Sequence, residues 1–176
     1  MKQDNNSNEI LNVCYIESLT NKDEFKNFKE SILNLDSTIS QLLKVTIVSN
    51  QIERKDIEDL NKNLKSLIIF NNIREEKFIN NLNNIELGIV PSLDEISIHD
   101  TSIFFISNGI PILCPKNSGD CLLSCCEFFK YETQVDFSKK LSAIINDKSL
   151  LKDYFDNLDE VTPQFIEECV EEKLFI

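Results

Sequence analysis

The sequence predicts an α/β fold in which about six parallel strands form an open sheet covered by helices on both faces. Three observations point there. Short, β-branched apolar runs alternate with amphipathic stretches almost from end to end, at about 30 residues per strand–helix unit. The 176 residues are 41% hydrophobic and 27% charged, enough apolar material for one substantial core. No Gly/Ser-rich or Pro-rich linker interrupts the alternation, which makes residues 10–176 one domain behind a polar, Asn-rich tail at 1–9 that is expected to be flexible.

Residues 11–17, Leu-Asn-Val-Cys-Tyr-Ile-Glu, open the pattern as a buried strand. Phe25, Phe28, Ile32 and Leu35 then fall on one helical stripe. Leu43 to Val48 is a β-branched second strand closed by Ser49-Asn50. A charged helix carrying Ile57, Leu60 and Leu64 on one face leads to a third strand, Ser66 to Phe70, with Asn71-Asn72 as its exit turn. A short helix with Phe78, Ile79 and Leu82 precedes a fourth strand, Leu87 to Val90, that ends at Pro91. A helix is expected near 100–108, with Asp100 as its N-cap and Asn108-Gly109 closing it. Pro111 to Cys114 reads as a fifth strand and Phe128-Phe129 as a short sixth. Phe137, Leu141, Ile144 and Ile145 share a helical face, followed by Leu151, Tyr154, Phe155 and Leu158, and by a last stripe after Thr162-Pro163. Connections of this kind are right-handed crossovers between parallel strands, so the architecture is Rossmann-like.

Charge narrows the partners. Thirty acidic against eighteen basic residues leave a formal charge of −12, which opposes both a nucleic-acid partner and an anionic membrane surface. No apolar run reaches the roughly 18 residues of a membrane span. The polar start shows no secretory segment, so the expectation is a cytoplasmic protein whose six cysteines are reduced thiols. Three glycines cannot assemble a G-x-G-x-x-G or Walker sequence, which removes the common nicotinamide and P-loop readings.

Open parallel sheets bind ligands beyond the carboxyl ends of their strands. The most informative of those loops is the one after the fourth strand, Val90-Pro91-Ser92-Leu93-Asp94-Glu95, because it enters a helix whose first amides can hold a phosphate. Together with Ile106-Ser107-Asn108-Gly109-Ile110-Pro111-Ile112-Leu113, this segment resembles the signature of retaining GT-B glycosyltransferases of the large family 4, group 1 type. In that family a strand ending in Pro-Ser-x-x-Glu leads into a helix and then into small-x-Gly-x-Pro-Val/Ile. Tyr15 to Lys22 resembles the family's first strand and phosphate-facing loop, Lys116-Asn117-Ser118-Gly119 the turn after its fifth strand, and Asn146 to Leu150 its Asp-Pro-x-Leu region. The resemblance covers nearly the whole chain and corresponds to the C-terminal, donor-binding half of such enzymes, a single GT-B half.

The resemblance implies a domain that binds a nucleotide-diphosphate sugar as substrate, with neither a cofactor nor a metal. Transfer to a glycan or other acceptor would need an acceptor domain, supplied by a partner chain or a homo-oligomer. Glu95 matches the glutamate that contacts the donor sugar and is the candidate catalytic residue. The backbone at Ser97 and Ile98 would face the diphosphate, Lys22 would add positive charge, and Asn71, Asn72 and Ile73 would lie beside the base. Phe104 stands where the family has its second, ribose-holding glutamate, and Ser18 where it has an arginine.

Other readings stay open beside this one. The chain can also be a catalytically inactive glycosyltransferase remnant whose apolar C-terminal stripe binds a protein partner. Glu95 can be a solvated loop carboxylate. His99, beside Asp100, reads as a surface histidine, since adjacent side chains rarely point at a common target. Cys121, Cys125 and Cys126 with Cys114 offer four thiols for zinc, but the spacing is not that of two close ligand pairs, and small buried apolar side chains fit it as well.

Overall fold

The computed structural model describes residues 10–17, 23–91, 95–116 and 129–158; at 23, 95–100 and 155–158 it describes the backbone alone. The Asn-rich tail, Ser18, Lys22, the cysteines at 121, 125 and 126, and the stripe after Pro163 lie outside the described residues.

Six strands form one parallel sheet: β1 (Leu11–Ile16), β2 (Leu43–Val48), β3 (Ser66–Phe70), β4 (Leu87–Ile89), β5 (Ile112–Pro115) and β6 (Lys130–Tyr131), in the spatial order β3-β2-β1-β4-β5-β6. Between and after them run α1 (Asp23–Leu33), α2 (Ser37–Ser40), α3 (Arg54–Asn63), α4 (Glu76–Asn81) with a following 3-10 turn at Leu82–Asn84, α5 (Glu95–Ser107), α6 (Gln134–Asn146) and α7 (Ser149–Leu158). The expected strand–helix alternation and parallel sheet are therefore present.

Register shows which helix covers which face. Cys14 of β1 is opposite Gly88 of β4, and Tyr15 is opposite Ile47 of β2. Side chains alternate between faces, so Tyr15 points away from the face that Cys14 and Gly88 share. The Tyr15 ring stacks on Phe28 of α1 with centroids 4.4 Å apart, which puts α1 on its face. On the other face Phe105 of α5 lies over Gly88. Phe70 belongs to that same face through the register Ile16–Val48–Phe70, and it meets Phe78 of α4 at 5.4 Å. The ion pair Lys29–Asp56 (2.6 Å) ties α3 to α1, and Gln134 of α6 donates to the Ser31 carbonyl of α1 at 2.7 Å. Helices α1, α3 and α6 thus lie on one face, α4 and α5 on the other. Adjacent residues such as Cys14 and Tyr15, or Leu113 and Cys114, are all fully buried, as a sheet covered on both sides requires.

β1 and β4 each end one residue earlier than expected and β5 is shifted by one residue, and two boundaries differ more. Helix α5 begins at Glu95, so Asp100 sits in its second turn and not at the expected N-cap position. Its end is the expected one. Gly109, at φ +70°, donates to the Ile106 carbonyl and Ile110 to that of Phe105, the paired bonds of a Schellman cap. The sixth strand is Lys130–Tyr131, shifted two residues from the aromatic pair, because pairing with Cys114 and Pro115 sets it; Phe129 instead packs edge-on against Tyr154 at 4.7 Å.

Opposite the carboxyl edge, at the amino ends of the strands, a polar clasp holds β1, β4 and α7 together. The Glu86 carboxylate accepts from Lys148 Nζ at 2.6 Å, from the Asn12 backbone amide at 2.9 Å and from Asn12 Nδ2 at 3.1 Å. Lys148 also donates to the Ile10 carbonyl at 2.8 Å. Asp147 caps α7 by accepting from the Ser149 amide and hydroxyl, bonds that hold its carboxyl below the usual range.

Candidate functional site: the carboxyl edge at β1 and β4

Strand order places the candidate site. Connections from β1 and β4 leave in opposite directions, so the carboxyl ends of these neighbouring strands open the crevice that such sheets use for ligands. β4 passes through buried Val90 and Pro91, and α5 begins at Glu95, so the start of α5 stands at this crevice. Val90 itself is held by its amide donating to the Leu113 carbonyl at 3.0 Å. Glu95, Ser97 and Ile98 are thus on the first turn of a 13-residue helix. At such an end amides lack intrahelical partners and the helix dipole favours an anion.

The remaining sequence candidates are spread along the edge. Asn71, Asn72 and Ile73 are exposed after β3, the outermost strand, with β2 and β1 between them and β4. At about 4.8 Å per strand that is roughly 14 Å from the start of α5. A ligand touching both would have to lie along the sheet edge. The amides of Asn71 and Asn72 both donate to the Glu75 carboxylate, and Arg74 donates its amide to Asn72 Oδ1 at 2.8 Å, which folds this turn onto itself.

Three residues at the crevice escaped the sequence reading. Glu17 follows Tyr15 by two positions and so emerges on the α1 face of β1. Continuing the β1–β2 register by one step pairs it with Ser49, whose buried hydroxyl donates to the Glu17 carboxylate. The same Ser49 oxygen accepts from the Gln51 amide at 3.1 Å, while the Glu17 amide donates to the Val48 carbonyl at 2.9 Å. On α1, which covers this face, Glu24 is buried at 3% exposure. The charges of Glu24 and Glu17 add to burial in pushing the Tyr15 phenol far above its ordinary range. The alternation Tyr15-x-Glu17 was the only sequence signal available for this cluster.

Phe104, which the sequence reading set at a ribose-holding position, is half-buried and packs against the core. Its ring lies 6.2 Å from Phe78 of α4 and 5.9 Å from Phe105. Lys116, just past β5, donates to Glu132 at 2.7 Å. Among the described residues no group of three His, Cys, Asp or Glu is set to hold a metal, and Cys114 is a buried thiol. No helix among the described residues is long and apolar enough to cross a membrane.

The same architecture recurs in solved structures, two of them of glycosyltransferases. This chain is similar to WaaG, a glycosyltransferase involved in lipopolysaccharide biosynthesis, with a TM-score of 0.64 at 12% identity over 88% of this chain and 44% of that one. It is similar to the catalytic domain of cholesterol-alpha-glucosyltransferase from Helicobacter pylori, with a TM-score of 0.60 at 12% identity over 86% of this chain and 99% of that one. It is also similar to OtsA in its apo form, at 0.53 and 12% over 94% of this chain and 44% of that one. The chain therefore spans less than half the length of WaaG and OtsA. No family model and no curated protein matches the sequence. At this identity the likeness defines the fold, which is that of a GT-B-like, Rossmann-type half.

Proposed function

We propose that this glycosyltransferase-like domain binds a nucleotide-diphosphate sugar at the carboxyl edge between β1 and β4. Transfer to a glycan or other acceptor would then require an acceptor-binding half from another chain or segment. The observation that carries this reading is the start of α5 directly beyond β4 in a sheet ordered 3-2-1-4-5-6, where open parallel sheets bind ligands, in a fold similar to that of WaaG. On this reading Glu95 orients sugar hydroxyls and the opening amides of α5, near Ser97 and Ile98, hold the diphosphate. Lys22 adds positive charge, Asn71, Asn72 and Ile73 flank the base, and the setting is cytoplasmic. Stabilising the departing diphosphate would be the main catalytic contribution of such a site. Calorimetry with UDP, GDP and their sugar conjugates tests it. Binding that Glu95→Ala weakens at least about 10-fold, roughly 1.4 kcal/mol, supports the donor site. No heat with any nucleotide at millimolar concentration overturns it.

A second reading, a catalytically inactive remnant that serves as a protein-interaction module, is favoured by two observations. Phe104 packs among Phe78 and Phe105 where the family holds ribose, and two carboxylates occupy the β1 side of the crevice. A phosphate charge about 5 Å from either carboxylate meets about 3 kcal/mol of repulsion at an effective dielectric of about 20. That opposes most of what one helix terminus supplies, up to about 2 kcal/mol in partly buried geometries.

A further inference from the structure

We propose that the outer edge of β3 is a self-association surface, on which a second copy of this chain pairs antiparallel and continues the sheet. β3 ends the strand order and pairs only with β2 among the described residues. Its inner edge fixes which groups turn outward. The Phe70 carbonyl accepts from the Ser49 amide, just past β2, at 2.9 Å, so Phe70, Ile68 and Ser66 aim their backbone groups at β2. Leu67 and Ile69, between them, turn their N–H and C=O groups away from the sheet. Natural sheets blunt such an edge with lysine, proline or a bulge. The strand Ser66–Phe70 holds neither charge nor proline, and its register with β2 runs unbroken from end to end.

Side chains agree with the backbone. Among the described residues four large apolar side chains are exposed, and three of them belong to this edge. Ile68 is 41% exposed on the strand, Ile73 lies in the turn after it, and Ile79 is on α4 next to Phe78, which meets Phe70. Ile68 is two positions from Phe70 and so stands on the same face of the sheet. The outward groups select the occupant and its register. Pairing Leu67 with Ile69 of a second copy, and Ile69 with its Leu67, satisfies every one of them. The two-fold axis then passes between the two Ile68 residues, a non-hydrogen-bonded pair with Cα atoms about 4.5 Å apart, and each covers the other. Another extended segment could use the same backbone groups, but only this chain's own copy sets Ile68 on Ile68. Charge permits the approach, because no carboxylate lies between Asp59 and Glu75 in a chain of net charge −12. Antiparallel pairing also turns Lys65 of each copy toward the end of the other strand that leads through Arg74 to Glu75 and Glu76, one cation against two carboxylates. A contact of this symmetry closes on itself, so assembly stops at a dimer. The inference goes beyond the donor reading and does not depend on it.

Sedimentation equilibrium and amide hydrogen exchange of the full chain test the proposal. The mass should rise from 20.3 kDa toward twice that value, with a dissociation constant in about the micromolar range of small interfaces. The amides of Leu67 and Ile69 should exchange at least about 10-fold more slowly in the dimer than in dilute protein, while that of Ile68, bonded to β2, stays protected in both. Ile68→Lys sets like charges directly opposite one another and should raise the dissociation constant at least about 10-fold. Val135→Lys, on α6 and 63% exposed, should leave it unchanged. Should Ile68→Lys misfold by circular dichroism, the concentration dependence of exchange in the parent decides alone. A chain still monomeric at about 1 mM overturns the proposal. So does a dimer that Ile68→Lys leaves intact, or one in which Leu67 and Ile69 exchange as fast as in dilute protein. Protection of these two amides in the monomer also overturns it, since another part of the chain would then cover the edge.

Discussion

Gly88→Ala should destabilise the protein by about 2 kcal/mol, and the structure shows why the damage is steric. A Cβ built on Gly88 would lie 2.6 Å from Phe105 Cδ2, 2.7 Å from Cγ and 2.8 Å from Cε2. Ordinary carbon contacts are about 3.5–4.0 Å, so ring and strand must separate by about 1 Å. The obstacle is the root of an aromatic ring on a fully buried helix face, which cannot swing aside as the end of a flexible chain could. Overpacking of this kind costs about 1–3 kcal/mol, offset by about 0.5–1 kcal/mol because alanine loses less backbone entropy than glycine in a strand. With an m-value of about 2 kcal/mol/M, the urea midpoint should fall by about 1 M. Phe105→Leu should be destabilising alone, yet Gly88→Ala on that background should cost at least about 1 kcal/mol less than on the parent. A Gly88→Ala midpoint within about 0.2 M of the parent would refute the account of α5 seated on β4.

Gly109 tests the opposite mechanism. Nothing lies within 4 Å of its added Cβ, but its φ is +70°, so Gly109→Ala should cost about 1–2 kcal/mol through the backbone alone, and Gly109→Asn less, both read from urea midpoints. At the clasp, Glu86→Ala should cost about 2–3 kcal/mol because it removes charge-assisted acceptors from Lys148 and Asn12; combined with Lys148→Met the losses should be less than additive by at least about 0.5 kcal/mol in a double-mutant cycle. Alkali should unfold the chain steeply. Burial raises the folded-state values of Cys14, Tyr15 and Tyr131, so the folded protein keeps protons that the unfolded chain releases near about 8.5 for cysteine and 10 for tyrosine. Stability from these groups is complete below those values and is lost above them, at up to about 1.4 kcal/mol per pH unit per group. Tyr15→Phe should remove one proton from that slope, and an unchanged slope in urea titrations between pH 9 and 11 would contradict the burial.

The strands were legible because each needed only local information. Val45, Ile47 and Val48, or Ile68 and Ile69, are β-branched runs bounded by turn residues, and the second and third strands match the reading residue for residue. Helical stripes were equally direct: Phe28, Ile32, Leu60, Phe137, Leu141 and Ile144 are all fully buried. The misses are positions where a partner decides. Helix α2 is one turn made by Asp36 accepting from the Thr38 amide and hydroxyl, with no apolar period to announce it. β6 is placed by β5, not by its own aromatic neighbours. The short helix near Phe78 was found, yet nothing in its sequence said that its ring would meet Phe104, 26 positions further on.

The same division explains why the fold is firmer than the site. A sheet edge becomes a ligand site through charges that converge from several loops, and convergence is a property of register. Glu17 after β1 looks like any solvated carboxylate in an acidic chain; only the β1–β2 register, which sets it opposite Ser49, shows that it takes a hydroxyl from the neighbouring strand. Helix α5 shows the two levels in one element. Its last turns are fixed by Phe105 over Gly88, by Phe104 against Phe78 and by the Gly109 cap, all of which serve packing. Its first turn, at Glu95, carries the family resemblance. Phenylalanine at 104 serves the packed end of the helix through its contacts with Phe78 and Phe105. The donor reading thus stands or falls on the loops beyond β1 and β4, and the sheet beneath them is compatible with either outcome.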